Sequence, residues 1–142
     1  MRTSRIRQVF FAYFLLAFGS LFAQFGDNPV TWDVEIIQGD DNAYEIRFEA
    51  SIAEGWYIYS QDNDPNAGPI PTTIDFNEND DIVLEGGIIE SSSHLKEGLD
   101  PIWKQVIKKY SDEVTFVQSF AVVESTSFEW FYVYMTCNYE SC

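Results

Sequence analysis

Apolar and polar residues alternate along most of the chain beyond residue 30. In TWDVEII, residues 31–37, Trp32, Val34 and Ile36 stand between polar neighbours, which predicts a half-buried strand. QGDDN reads as a turn. In AYEIRFEASI, residues 43–52, Tyr44, Ile46, Phe48, Ala50 and Ile52 share one face. The two segments predict an antiparallel hairpin. WYIYSQ (56–61), TTIDFNEN (72–79), DIVLEGGII (81–89) and VTFVQSFAVV (114–123) read as further strands, and the loop DNDPNAGPIP is dense in Pro, Gly, Asn and Asp. SFEWFYVYMT (127–136) has apolar residues on both faces, the pattern of a strand covered on both sides. Residues 91–113 are the least regular. Ile102, Val106, Ile107 and Tyr110 would stripe a short helix, but Gly98 and Pro101 favour a structured loop.

Short strands separated by turns every eight to twelve residues imply an all-β, immunoglobulin-like antiparallel β-sandwich. The Cys…Trp…Cys spacing of antibody domains is absent, so the likeness is one of architecture. Aromatics make up 17% of the chain, which fits a packed β protein and argues against disorder.

The first residues do not share this pattern. MRTSRIRQ holds Arg2, Arg5 and Arg7 without an acid, and VFFAYFLLAFGSLFA follows. A basic start, a short apolar run and a small residue before a polar one predict a signal peptide over residues 1–23, cleaved after Ala23. The run is shorter than the roughly 20 apolar residues of a spanning helix. Removing 23 of the 142 residues leaves 119, one domain, residues 24–142. It keeps 5 basic residues against 23 acidic ones, a net charge of −18. Such a body repels phosphate backbones and anionic lipid, so nucleic acid and membrane surfaces are poor partners.

Cys137 and Cys142 are the only cysteines and lie five positions apart directly after the last predicted strand. A secreted cysteine pair is expected to be oxidised or handled by redox partners. Zinc would need about four N/S ligands, and His94, far upstream, is the only histidine. An inert staple and a working exchange pair remain open on local grounds: a ring this small gains little from cross-linking, and exchange needs only a thiolate and a disulfide. Asp62-Asn63-Asp64 begins like a calcium loop, but Ala67 and Thr73 stand where the pattern needs Gly and Glu. It reads as a turn, and no metal is expected. Tyr57 and Tyr59 share one face of their strand. Outward-facing aromatics would suit a sugar platform, whereas alternation favours packing. No hydrolase or phosphate-loop motif is present.

The ordered set AEGWYIYSQ, GPIPTTIDF, KKYSDEVTF and VYMTCNYESC resembles the N-terminal periplasmic domain of DsbD-type thiol:disulfide interchange proteins, across essentially the whole of residues 24–142. The resemblance implies a sandwich with the cysteines at one end beneath a cap loop. It implies a periplasmic protein-disulfide reductase component without a bound cofactor, carrying electrons from a thioredoxin-like domain to secreted oxidoreductases that isomerise disulfides or serve cytochrome maturation. By resemblance, Cys142 forms the mixed disulfide and Cys137 resolves it. Tyr57 and Tyr59 match the aromatic pair beside the site. Asp100 and Trp103, in the stretch 98–103, match the cap carboxylate and the aromatic shield. The family pattern runs on past the second cysteine into a closing strand, so a truncated domain or a piece of a longer gene product is expected. The alternative is a secreted β-sandwich that binds a ligand or protein and carries a structural disulfide.

Overall fold

The computed structural model describes residues 28–142 except 67, 78 and 125. The predicted leader, residues 1–23, lies outside the described residues. Among the described residues ten strands follow one another: β1 (Val30–Gln38), β2 (Ala43–Ile52), β3 (Tyr57–Tyr59), β4 (Thr73–Phe76), β5 (Ile82–Ser91), β6 (Leu95–Asp100), β7 (Gln105–Tyr110), β8 (Glu113–Val122), β9 (Trp130–Val133) and β10 (Thr136–Cys137). They form two four-stranded sheets, ordered β1-β2-β8-β5 and β10-β3-β7-β6, and a β4-β9 pair. All pairings are antiparallel. The fold is an antiparallel β-sandwich, as its alternating pattern implies. No helix among the described residues is long and apolar enough to cross a membrane.

The expected first hairpin is present, in register from Val30↔Ile52 to Gln38↔Tyr44. Its turn places Asp41 and Asn42 at φ 52° and 62°, a region these short polar residues tolerate better than most. Alternate residues of β2 and β8 point inward: Ile46, Phe48, Ala50 and Ile52 on one, Val114, Phe116 and Phe120 on the other. They share a core with Ile58 of β3, Ile74 of β4 and Tyr110 of β7, so that core joins the two large sheets. Each such aliphatic or aromatic side chain stabilises the fold by roughly 1.5–3 kcal/mol. Trp32 stacks on Tyr132 at 4.6 Å between ring centroids, and Phe48 meets Trp130 edge-on at 6.0 Å.

Gln118 is the polar exception on the inner face of β8. Across from it the register of β5 shifts between Glu85 and Ile89, with Gly86 at φ 67°. The bulge frees carbonyls from the ladder. The Gln118 amide donates to the carbonyl of Glu85 at 3.0 Å and to that of Ser119 at 2.7 Å, which offsets the cost of burying them.

Two expectations are corrected. Residues 95–110 form neither a short helix nor a structured loop but the β6–β7 hairpin, paired from Leu95↔Tyr110 to Asp100↔Gln105. Ile107 and Tyr110 are three apart, so in a strand they face opposite ways. Both are buried because this strand is covered on both faces. Pro101 falls in the turn, where no ladder needs its missing N–H, and Lys104 closes that turn at φ 57° by donating its N–H to the Asp100 carbonyl at 2.7 Å. SFEWFYVYMT, in turn, is not one strand covered on both sides. β9 pairs only with β4, its Phe131 is 53% exposed, and Tyr134–Met135 break the chain before β10 enters another sheet.

Candidate functional site

The β10-β3-β7-β6 sheet has a second face, turned away from the main core. Residues opposite each other in an antiparallel pair lie on the same face, as do residues two apart on one strand. Cys137 pairs with Tyr57, Tyr59 with Lys109, Lys109 with Lys96, and Ile107 with Gly98. These residues therefore share the outer face. On it, Tyr59, Ile107 and Cys137 are buried together, with Trp103 and Met135 packed against them. Gly68 lets the loop after β3 approach closely, since a Cβ there would lie 3.0 Å from Ile107 Cδ1.

Cys137 and Cys142 are joined in a disulfide, their Cα atoms 4.0 Å apart. The two sulfurs stand in unlike surroundings. Cys137 is 3% exposed, whereas Cys142 belongs to an exposed turn. The Asn138 side chain organises that turn: its Oδ1 accepts the N–H groups of Glu140 at 2.8 Å and Ser141 at 2.7 Å. Such Asx geometry is local and needs no core.

Tyr57 lies beside the ring of the disulfide. Its hydroxyl is 2.8 Å from that of Tyr139, within the ring, and the aromatic rings meet edge-on at 5.8 Å. The ammonium groups of Lys96 and Lys109 each lie 4.8 Å from the centroid of the Tyr57 ring, in cation–π range. The hydrogen bond with Tyr139 holds the Tyr57 phenol below its ordinary pKa against the opposing effect of burial, and Lys96 and Lys109 act in the same direction.

Asp100 ends β6 with its carboxylate buried. Oδ1 accepts the N–H groups of Ile102 at 2.9 Å and Trp103 at 3.4 Å, and Oδ2 accepts Lys109 Nζ at 3.2 Å. Burial alone would raise its pKa. The Ile102 amide, the Lys109 ammonium and the Trp103 amide outweigh burial and hold it below the ordinary carboxylate value. Tyr59 moves the other way. Burial raises its phenol pKa, a bond from Trp103 pulls it back, and the Asp100 charge adds to the rise. Asp100 thus fixes the backbone of the turn that carries Trp103, and Trp103 covers the Tyr59–Cys137 cluster.

The six residues singled out from the sequence are therefore brought to one face of one sheet. Sequence reasoning missed Tyr139, Lys96, Lys109 and Met135. Tyr139 was visible as the aromatic between the cysteines. The two lysines fall on this face only because β6 and β7 are strands. The Asp62–Asp64 turn is occupied internally: Asp62 pairs with Lys108 at 2.9 Å, and Asp64 accepts the Asn66 N–H at 2.8 Å.

A solved structure shares this fold. The chain is similar to the N-terminal periplasmic domain of ScsB from Proteus mirabilis, with a TM-score of 0.58 and 16% identity over 79% of this chain. It spans 42% of that neighbour's length. At this identity the likeness establishes a shared fold. No family model matches the chain, and no curated protein matches it.

Proposed function

We propose that this is a DsbD-like periplasmic domain that exchanges disulfides through Cys137 and Cys142. The observation that carries the reading is the asymmetry of the pair. One sulfur is buried beneath an aromatic cover, and the other is presented in an exposed turn. A structural staple has no need of that difference. An exchange pair does, because one sulfur must meet a partner while the other waits to resolve the mixed disulfide.

In the reducing direction, the Cys142 thiolate attacks a partner's disulfide. A Cys142–partner bond forms, the partner's bond breaks, and the first partner thiolate leaves and takes a proton. The Cys137 thiolate then attacks Cys142 Sγ and expels the second partner thiolate. The partner gains two electrons and two protons, and the pair gives up the same number. Trp103 and Met135 keep Cys137 from other thiols in the meantime, and a proximal aromatic cover disfavours its charged form. Proteins of thioredoxin-like fold suit both ends of this relay, since their own pairs exchange by the same chemistry. The periplasmic setting draws on the predicted leader and on the periplasmic neighbour of the same fold.

Cys137→Ser should trap a mixed disulfide with a thioredoxin through Cys142, and Cys142→Ser should trap none. Failure of Cys142 to capture any thioredoxin-fold protein overturns the reading. The reduction potential is an independent check. A relay pair lies above about −300 mV, and a lower value would make the disulfide the staple of a binding module.

A further inference from the structure

We propose that Tyr139 is a positioning residue whose clasp on Tyr57 sets the redox equilibrium of the cysteine pair. The inference rests on the exchange reading of Cys137 and Cys142 and names a control built into the same site. Tyr139 lies between the two cysteines and is 84% exposed, so the main core does not hold it. What it has is Tyr57: a hydroxyl contact of 2.8 Å and an edge-on ring contact at 5.8 Å. Lys96 Nζ also reaches the Tyr57 hydroxyl, at 3.5 Å, and with Lys109 places two positive charges around that ring. Either hydroxyl can donate across the Tyr57–Tyr139 contact, and the clasp needs only that one of them does.

The effect on redox chemistry follows from loop entropy. In the closed ring the Cys137–Cys142 bond adds to the Asn138 turn in fixing the position of Tyr139. In the open dithiol only the local turn remains, and the same contact must order a freer segment at a greater cost in conformational entropy. Ring closure therefore strengthens the clasp. Coupling between two such events is reciprocal, so the clasp strengthens ring closure by the same factor. It holds the disulfide more reducing than the bare ring would be.

The test is equilibration of the folded protein with reduced and oxidised glutathione. Two glutathione thiols are oxidised to one glutathione disulfide, and Cys137 and Cys142 take up the two electrons and two protons. Tyr139→Phe should ease reduction of the pair about three- to tenfold, the range of one net hydrogen bond. Tyr139→Ala should ease it further by removing the ring contact. Tenfold corresponds to about 30 mV. Tyr57→Phe should match Tyr139→Phe, and the double variant should add nothing, as expected of one shared bond. Equilibria within twofold of the parent for both Tyr139 variants overturn the proposal, and so do fully additive effects of the two Phe variants. Glutathione takes the place of the protein partner. If Cys142 captures no thioredoxin-fold protein while Tyr139→Phe still shifts this equilibrium, the functional reading fails and the clasp stands.

Discussion

The two faces of the β3–β7 pair are built from neighbouring residues and do different work. Ile58 and Tyr110 point into a core of eleven buried residues drawn from both large sheets and β4. Tyr59 and Ile107 point the other way, into a cluster whose third buried member is Cys137. Alternation along a strand makes this division inevitable, since consecutive side chains leave on opposite faces. The first face holds the sandwich together. The second is covered by Trp103, Met135 and the loop at Gly68, and the exchange proposed for the pair requires that cover to open locally.

That contrast can be broken most forcefully from the core side. Phe48→Ala should cost about 3–5 kcal/mol in urea unfolding, while the glutathione equilibrium of the remaining folded protein stays within about twofold. A shifted equilibrium would mean the two faces are coupled. Next in size is the disulfide itself. Its ring is small, and reduction should lower stability by only about 2 kcal/mol. A loss beyond about 4 kcal/mol would make the pair part of the fold rather than a group mounted on it.

A smaller effect belongs to Asp100. Its folded pKa is depressed, so its charged form stabilises the fold above the unfolded carboxylate pKa near about 4, and that contribution is lost as pH falls through the lower folded value. Asp100→Asn should flatten this acid limb and speed hydrogen exchange at the Ile102 and Trp103 amides. Unchanged amide protection would sink the assignment of Asp100 as the anchor of the turn. Smallest in stability is Trp103→Ala, at under about 1 kcal/mol for a half-buried side chain, yet alkylation of the reduced pair should rise roughly fivefold as the cover goes. Equal labelling rates would remove Trp103 from the cover.

The sandwich was legible in the sequence because β2 and β8 alternate cleanly. Each buries one face and leaves the other at least partly open, and β1 half-buries one face, which period-two patterning states directly. The β6–β7 hairpin was hidden because β7 is buried on both faces, which erases alternation, while Leu99 and Val106, paired across the hairpin, stay exposed. A strand covered on both sides and a helical stripe look alike over six residues. The same ambiguity, reversed, affected residues 127–136, where an apolar run predicted cover on both faces and Phe131 and Val133 are exposed.

By itself the sequence determined the strand pattern, the acidic surface and the presence of two cysteines a short turn apart. The Asn138 turn is local chemistry and is also written there. Pairing β10 with β3 decided that Cys137 is the buried sulfur. Pairing β6 with β7 decided that Lys96 and Lys109 flank Tyr57 and that Asp100 anchors the turn beneath which Cys137 lies. Apart from the local Asp100–Lys109 pair, those contacts join residues from 39 (Lys96–Tyr57) to 80 (Tyr57–Cys137) positions apart. No local propensity encodes such distances; they are set by which strand edges meet when the apolar faces are buried.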